Sequence, residues 1–287
     1  MYFFPYNGPY VMEDYLIVDQ RGYAHMLREI AKPFVSEIRF GQHVSKVEYS
    51  DSSVVVTTKD GSIYTADYVI STLPLGVMKH RDAPTAVTFD PPFPADKLAA
   101  IDEMGMGNYA KVYLQFNRNF WGDTETFAIA GLPIEGVDKY LTWGINLDHP
   151  KYLPGSKILS FHMASDVARR IESQHAEVTQ VQIMKELRFL FGEDIPDPLA
   201  IKTSDWLHFP LTFGSYSWWP IGFTEIEWMA MRRPEGRLFF AGEHTNSNYG
   251  FAHYAHISGK DAAKAIMKDM QGHVASVELG KAFKELS

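Results

Sequence analysis

Met26, Leu27 and Ile30 recur at helical spacing after "DQRGY" (Asp19 to Tyr23), which predicts a helix ending near Pro33. From Ile38 to Leu73 the period changes to two. "HVSKVEY", "SVVVTT" and "SIYTADYVIST" are β-branched runs, and Lys59-Asp60-Gly61 supplies a hairpin turn between the second and third. "LPLGV" (Leu73 to Val77) stops the third run. A proline-rich loop from Asp82 to Pro94 precedes helical spacing from Lys97, which ends at Gly105 and Gly107. "NYAKVYLQF" (Asn108 to Phe116) and "KILSFHMA" (Lys157 to Ala164) read as strands. Val178, Val181, Met184, Leu187 and Leu190 mark one face of a long helix closed by Gly192. "DWLHFPLTFGSYSWWPIG" is loop-like and aromatic, "GRLFFAG" is a buried strand, and a last helix runs from Gly250 to about Met267. Hairpins, long helices and a strand-to-helix switch together predict α/β with an added sheet.

Composition narrows this picture. The chain has 287 residues, 46% of them apolar, enough for one large domain or two ordinary ones. A net charge of −8 without a long single-sign run argues against a nucleic-acid surface, and an acidic balance weakly favours cationic substrates. With no cysteine, disulfides, thiol nucleophiles and cysteine-bound metals are excluded. No apolar run reaches membrane-spanning length. "MYFFPYNGPYVMEDYLIVDQ" lacks a basic start and a cleavage site and reads like the middle of a domain.

The chemistry concentrates in "RLFFAGEHTNSNYGFAHYAHISG" (Arg237 to Gly259). A strand running into a helix start offers free N–H groups and the positive end of the dipole, a place for an anion or an electron-rich ring. Gly242 allows close backbone approach, and Glu243 can accept hydrogen bonds from sugar-like hydroxyls. Glu243 and Thr245 serve equally well as helix caps. His244, His253 and His256 permit a metal, but "HEXXH" and paired carboxylates at helical spacing are absent, so no metal is expected.

These residues carry a resemblance. "GEHT", a short gap, a glycine–aromatic–x–His step and "SG-x-x-A-A" resemble the carboxy-terminal signature of flavin-dependent amine oxidases, nearest to the polyamine oxidase branch. "VDQRGY", "TADYVISTLPLGVM", "MGMGNYAKVYLQF", "RRIESQ", "GSYSWWPIG" and "RLFFAGEHT" follow that family in order, from about Ile17 to Ile266.

The resemblance implies an FAD cofactor, a small-molecule amine or polyamine substrate and O2 as oxidant. Hydride passes from the carbon next to nitrogen to flavin N5, the imine hydrolyses, and O2 is reduced to H2O2. It implies that Glu243 holds the ribityl or phosphate region, and that the helix near Gly250 faces the N1–C2 carbonyl edge of the ring with Gly242, Phe251 and Ala252 beside it. Val44 corresponds to the backbone contact to adenine, and Leu73 and Pro74 belong to a turn beside the cofactor. Lys111 matches the lysine that holds a water at N5. From the pattern alone Lys111 is a solvated residue, because Tyr109, Lys111, Tyr113 and Gln115 share one face of an alternating strand. Trp219, with Tyr216 or Trp218 across from Phe251, matches the aromatic walls around the amine, although each ring also suits plain core packing.

Two departures concern that cage: Phe251 stands where the family usually has tyrosine, and the segment around Asn248 is one residue shorter. A third is larger. No G-x-G-x-x-G occurs, and "GMG" (Gly105 to Gly107) lies between a helix and a strand. The chain is therefore expected to correspond to the carboxy-terminal half, or a little more, of the family fold. Residues 1–15 would be a remnant of the substrate domain, 16–82 and 206–270 the FAD-binding part, 83–205 a mixed-sheet α+β substrate domain and 271–287 a tail. Alone, such a chain is expected to bind FAD weakly and to aggregate. The residues leave open a non-catalytic interaction module of the same scaffold, or an oxidase of monoamines, amino acids or methylated lysine.

Overall fold

The computed structural model describes residues 17, 19, 21–128 and 143–285, with side chains through 126 and from 143 to 272. In chain order, helix α1 (Tyr23–Ala31) leads into a 3-10 turn over Lys32–Glu37. Strands β1 (Val44–Tyr49), β2 (Val54–Thr58), β3 (Ile63–Ala66) and β4 (Val69–Ser71) follow, then α2 (Leu75–Lys79), β5 (Thr88–Asp90) and α3 (Ala95–Glu103). Next come β6 (Gly105–Gly107), β7 (Tyr109–Gln115), β8 (Thr126–Ala128), β9 (Trp143–Asn146), β10 (Ile158–Ala164), α4 (Ser165–Glu172), α5 (Ala176–Phe191) and β11 (Ala200–Thr203). The last segment holds β12 (Tyr216–Trp218), α6 (Glu225–Arg232), β13 (Leu238–Phe240), a 3-10 turn over Glu243–Thr245 and α7 (Ala252–Glu285). Among the described residues no helix is long and apolar enough to cross a membrane.

The chain divides into two compact units, one of residues 1–40 and 109–205, the other of 41–108 and 206–287. In the first, an antiparallel sheet in the order β11-β7-β10-β9-β8 carries a core on one face. Ala110, Val112 and Leu114 of β7 and Leu159, Phe161 and Met163 of β10 meet Ala168 and Ile171 of α4 and Ile183, Met184 and Leu187 of α5 there. The expected face of α5 is corrected. Val178 and Val181 are exposed, and the buried stripe runs through Thr179, Ile183, Met184 and Leu187. Polar residues enter that stripe because they find partners, as Thr179 does in accepting a hydrogen bond from Gln174 Nε2 at 2.7 Å. Apolar spacing alone therefore set the helix rotation wrongly. The apolar residues of α1 are likewise exposed, and the helix buries none of its side chains.

In the second unit, β3-β2-β1-β5 form a four-stranded sheet in which β1 and β5 are parallel and the rest antiparallel. Asp60 makes the hairpin turn as expected, accepting from Thr58 Oγ1 at 2.5 Å and from the Ser62 N–H at 3.0 Å, while Gly61 adopts φ 85°. The run "SIYTADYVIST" is two strands rather than one. Its first part, β3, is antiparallel to β2, and its second part, β4, leaves for another sheet to pair in parallel with β13. The loop expected from 82 to 94 contains β5, which reaches back to β1. Residues 83–108 consequently pack with 41–82: Phe93, Ile101 and Met104 join Val47, Leu75, Trp228 and Phe240 in the second core.

Two lysines, Lys97 buried and Lys79 half-buried, serve as helix caps there. Lys79 Nζ of α2 donates to the carbonyls of Ile101, Asp102 and Met104 at the end of α3 (2.6–3.0 Å). Lys97 Nζ of α3 donates to those of Met231 and Arg233 at the end of α6 (2.7 and 2.6 Å), lies 3.5 Å from Glu235 Oε1 and sits over the Phe240 ring. Cations at helix carboxyl ends satisfy orphan carbonyls and complement the dipole. Helix α7 continues to Glu285, well past the expected stop, so residues 271–285 prolong a helix rather than form a tail.

Candidate functional site

β4 and β13 run parallel, with Leu238 opposite Val69, Phe239 opposite Ile70 and Phe240 opposite Ser71, and the Ala241 N–H bonds to the Ser71 carbonyl at 2.9 Å. Their carboxyl ends therefore lie side by side. One continues into Leu73 and Pro74, which heads α2, and the other into Gly242 and Glu243. Ligands in α/β sheets gather at such strand ends.

Gly242 has φ 134°, open to glycine alone, and a Cβ there would lie 2.6 Å from the His244 ring. The glycine has a reason within the protein: the His244 ring fills the place of the missing side chain. His244 is buried, and burial lowers its pKa to about 4, so it is a neutral packing residue at neutral pH. Ser258 of α7 docks the helix to the same glycine, accepting from the Gly242 N–H at 2.9 Å, with its hydroxyl 3.0 Å from the Gly242 carbonyl. Among the described residues no three His, Asp or Glu side chains are placed to share a metal ion.

The Glu243 carboxylate is engaged on three sides. Ser217 donates its N–H to Oε1 (3.1 Å) and its hydroxyl to Oε2 (2.8 Å), and the Gly250 N–H donates to Oε2 (2.6 Å). Ser217 is the buried centre of β12, and the flanking Tyr216 and Trp218 point the other way and are exposed. β12 pairs with β6, Tyr216 opposite Gly107 and Trp218 opposite Gly105. A Cβ on Gly105 would stand 2.3 Å from the Trp218 ring, so "GMG" is a strand kept bare for the indole that crosses it. The Tyr216 ring lies against Gly250, 3.3 Å from where a Cβ would be, and partial desolvation raises the pKa of its hydroxyl.

Of the other expected residues, Val44 opens β1 opposite Thr58 and packs against the second core. Trp219 stacks with Tyr249 (6.0 Å, 19°) and meets Phe223 and Trp228 edgewise or tilted. Phe251 contacts His253 and Tyr254 of its own turn, and among the described residues no ring contact joins it to Trp219. Tyr216, Gly242 and Glu243 are thus tied together with the approach to Phe251 and Ala252, while Trp219 sits in a neighbouring aromatic cluster. Reading by residue type missed Ser217, Ser258 and Tyr249, of which only Tyr249 carries a signal, as one more aromatic in an aromatic-rich segment.

Lys111 belongs to the first unit. Its alternating strand sends Ala110, Val112 and Leu114 to the core, and Lys111 is half-buried on the opposite face with Tyr109 and Tyr113. Its N–H donates to Ser204 Oγ and its carbonyl accepts from the Ser204 N–H, both at 2.9 Å. Toward β10 it is therefore the non-hydrogen-bonded partner of His162, the register that brings side chains closest. His162 contacts Tyr109 Oη (3.0 Å) and Ser160 Oγ (3.1 Å), and burial, with Lys111 beside it, lowers its pKa to about 4.

FAD can be tested against the second unit. Phe251 precedes the first helical residue and accepts the first intrahelical bond, from the Ala255 N–H at 3.1 Å. Its side chain has no oxygen to cap with, and among the described residues no side chain accepts from the N–H groups of the first turn. Trp219 Nε1 is buried and has no hydrogen-bond partner among the described residues, a second donor of this kind. The first-turn N–H groups fit the carbonyl edge of a flavin ring. A glycine-rich turn suited to a pyrophosphate is not encoded anywhere in the 287 residues.

The chain belongs to the flavin containing amine oxidoreductase family, whose model matches residues 2–267. FAD is the cofactor of that family. The chain is 32% identical to polyamine oxidase 1 of Zea mays over 90% of its own length and 53% of that relative. It is 30% identical to polyamine oxidase 6 of Oryza sativa subsp. japonica (93% and 55%), and 31% identical to lysine-specific histone demethylase 1 homolog 2 of Arabidopsis thaliana (83% and 31%). The chain thus spans about half the length of the polyamine oxidases it matches.

Proposed function

We propose that this protein works as an FAD-dependent amine oxidase with polyamines as its substrate class. The second unit would hold the flavin. The observation that carries the reading is the convergence of two parallel strand ends, the Glu243 turn and an uncapped helix start in one unit. When bound, FAD supplies the redox chemistry, taking a hydride from the carbon next to the amine nitrogen and passing electrons to O2 to give H2O2.

The residues orient and stabilise. The first-turn N–H groups of α7 would stabilise negative charge at the N1–C2 edge, and Leu73 and Pro74 would line the adjoining strand end. Val44 would contact the adenine end through its backbone. Lys111 would hold a water at N5. Tyr216 and Trp218, on the exposed face of β12, would guide an amine by their ring faces, with Trp219 and Phe251 completing the apolar surroundings.

The test is flavin uptake by the purified chain, alone and joined to a segment carrying strand, G-x-G-x-x-G and helix. A peroxide assay follows over spermine, spermidine, N-acetylated polyamines, monoamines, amino acids and methyl-lysine peptides. Polyamine-dependent peroxide supports the reading, and turnover confined to another amine class moves the substrate. A chain that takes up no flavin in either form has lost the function proposed here.

A further inference from the structure

We propose that Ser217 is a positioning residue of the flavin site, acting through Glu243 to fix the chain where it enters α7. The nature of the bound group rests on the function proposed above, whereas the clamp stands on bonds within the protein.

Three donors from two separate parts of the chain converge on one carboxylate from a third. Ser217 lies in β12, Glu243 follows β13, and Gly250 lies two residues ahead of α7. Hydrogen bonds to an ionised acceptor are about twice as strong as neutral ones, so this junction outweighs an ordinary turn contact. Ser217 is fully buried, and its N–H and hydroxyl both point at Glu243. With two donors from Ser217 holding the carboxylate in one rotamer, Oε2 is presented to the Gly250 N–H.

That bond sets how the chain turns into the helix. Gly250 adopts φ 83°, its open face carries the Tyr216 ring, and the residues just after it begin α7. One clamp therefore sets both the direction of the first-turn N–H groups and the seat of Tyr216. Glu243 acts from behind the site, with three protein donors on its oxygens, and its influence on a bound flavin passes through Gly250. This differs from the direct ribityl or phosphate contact that the family resemblance implies for Glu243.

The experiment compares Ser217→Ala, Glu243→Gln and the double variant in the full chain by two measurements. The first is hydrogen exchange of the Gly250 amide without flavin, read beside amides of β4 and β13. The second is FAD affinity, by quenching of flavin fluorescence, together with the visible spectrum of the bound flavin. Ser217→Ala is expected to speed Gly250 exchange tenfold or more while the strand amides keep their protection. It should also weaken FAD about tenfold and shift the flavin spectrum, and the double variant should be no worse than Glu243→Gln alone. Unchanged Gly250 exchange in Ser217→Ala overturns the clamp, whatever happens to flavin. Unchanged FAD affinity in Ser217→Ala, with a loss in Glu243→Gln, overturns the positioning role in favour of direct contact. Should Ser217→Ala fail to fold, Glu243→Gln alone decides by the same exchange measurement. If the unsubstituted chain takes up no flavin either alone or joined to the strand, G-x-G-x-x-G and helix segment, the functional reading fails and the exchange measurement still judges the clamp.

Discussion

In the first unit Lys111 stands in the middle of a seven-residue strand whose alternate side chains go to the core, bonded on both edges to neighbouring strands. In the second, Tyr216, Gly242 and Glu243 stand on three-residue strands or just beyond them. A long strand directs its side chains by the pleat itself, so Lys111 faces away from the core however its neighbours vary. A short strand has no such authority. Tyr216 and Glu243 are placed by individual hydrogen bonds and by glycines that leave room for a ring. The first arrangement should tolerate substitution of the Lys111 side chain, and the second should fail when one supporting atom is added or removed.

The largest effect expected is that of an added methyl group. A Cβ on Gly76 would lie 1.9 Å from the Thr212 carbonyl oxygen, against backbone that cannot swing aside, whereas Gly155 in the first unit has open space at φ 85°. Gly76→Ala should cost about 3–5 kcal/mol. Gly155→Ala should cost about 1–2 kcal/mol, the penalty of a left-handed backbone alone. Urea unfolding curves measure both, and comparable losses would break the comparison.

Next comes Lys111→Met. With the flavin bound, it should slow flavin reduction or reoxidation tenfold or more while leaving the melting temperature within about a degree. Val112→Ala, one residue along on the core face, should do the reverse, costing about 1–2 kcal/mol with little direct effect on either rate. Stopped-flow kinetics and calorimetry separate the two, and unaltered rates in Lys111→Met remove it from the site.

A subtler difference lies in pH. Burial lowers Lys97 to about 8, from about 10.5 in an unfolded chain. Between those values the unfolded chain holds a proton that the folded chain has released, so stability should rise as pH climbs from about 8 to 10.5. Lys97→Met should flatten that rise in the second unit, and a slope unaffected by the substitution would show that the lysine stays charged in place.

The smallest expected effect is shared by both units. His162 and His244 are each lowered to about 4, against about 6.5 unfolded. Their contribution is present above about pH 6.5 and is lost as pH falls toward 4, where the unfolded chain binds the protons first. His162→Gln should lessen the acid sensitivity of amides in the β7–β10 sheet, and His244→Gln that of amides in β4 and β13. Identical profiles for all amides would show that the units lose stability together.

The sequence alone determined what depends on neighbours in the chain. The Asp60–Gly61 hairpin, the alternation of β7, the helix stop at Gly192 and the apolar strand Leu238–Phe240 are local patterns, and each has its cause within a few residues. The family signature was legible for the same reason, as short motifs in a fixed order. Tertiary structure decided what depends on distant partners. It placed β4 beside β13, folded β5 back onto β1, turned α5 so that Thr179 rather than Val178 faces inward, and laid Trp218 across Gly105. Ser217 shows why such features stay hidden. A serine in an aromatic stretch reads as a loop residue until the fold brings a carboxylate 26 positions away within 2.8 Å of its hydroxyl. Local propensity acts through the backbone and adjacent side chains, whereas a clamp is made by groups that meet only after the chain has closed on itself.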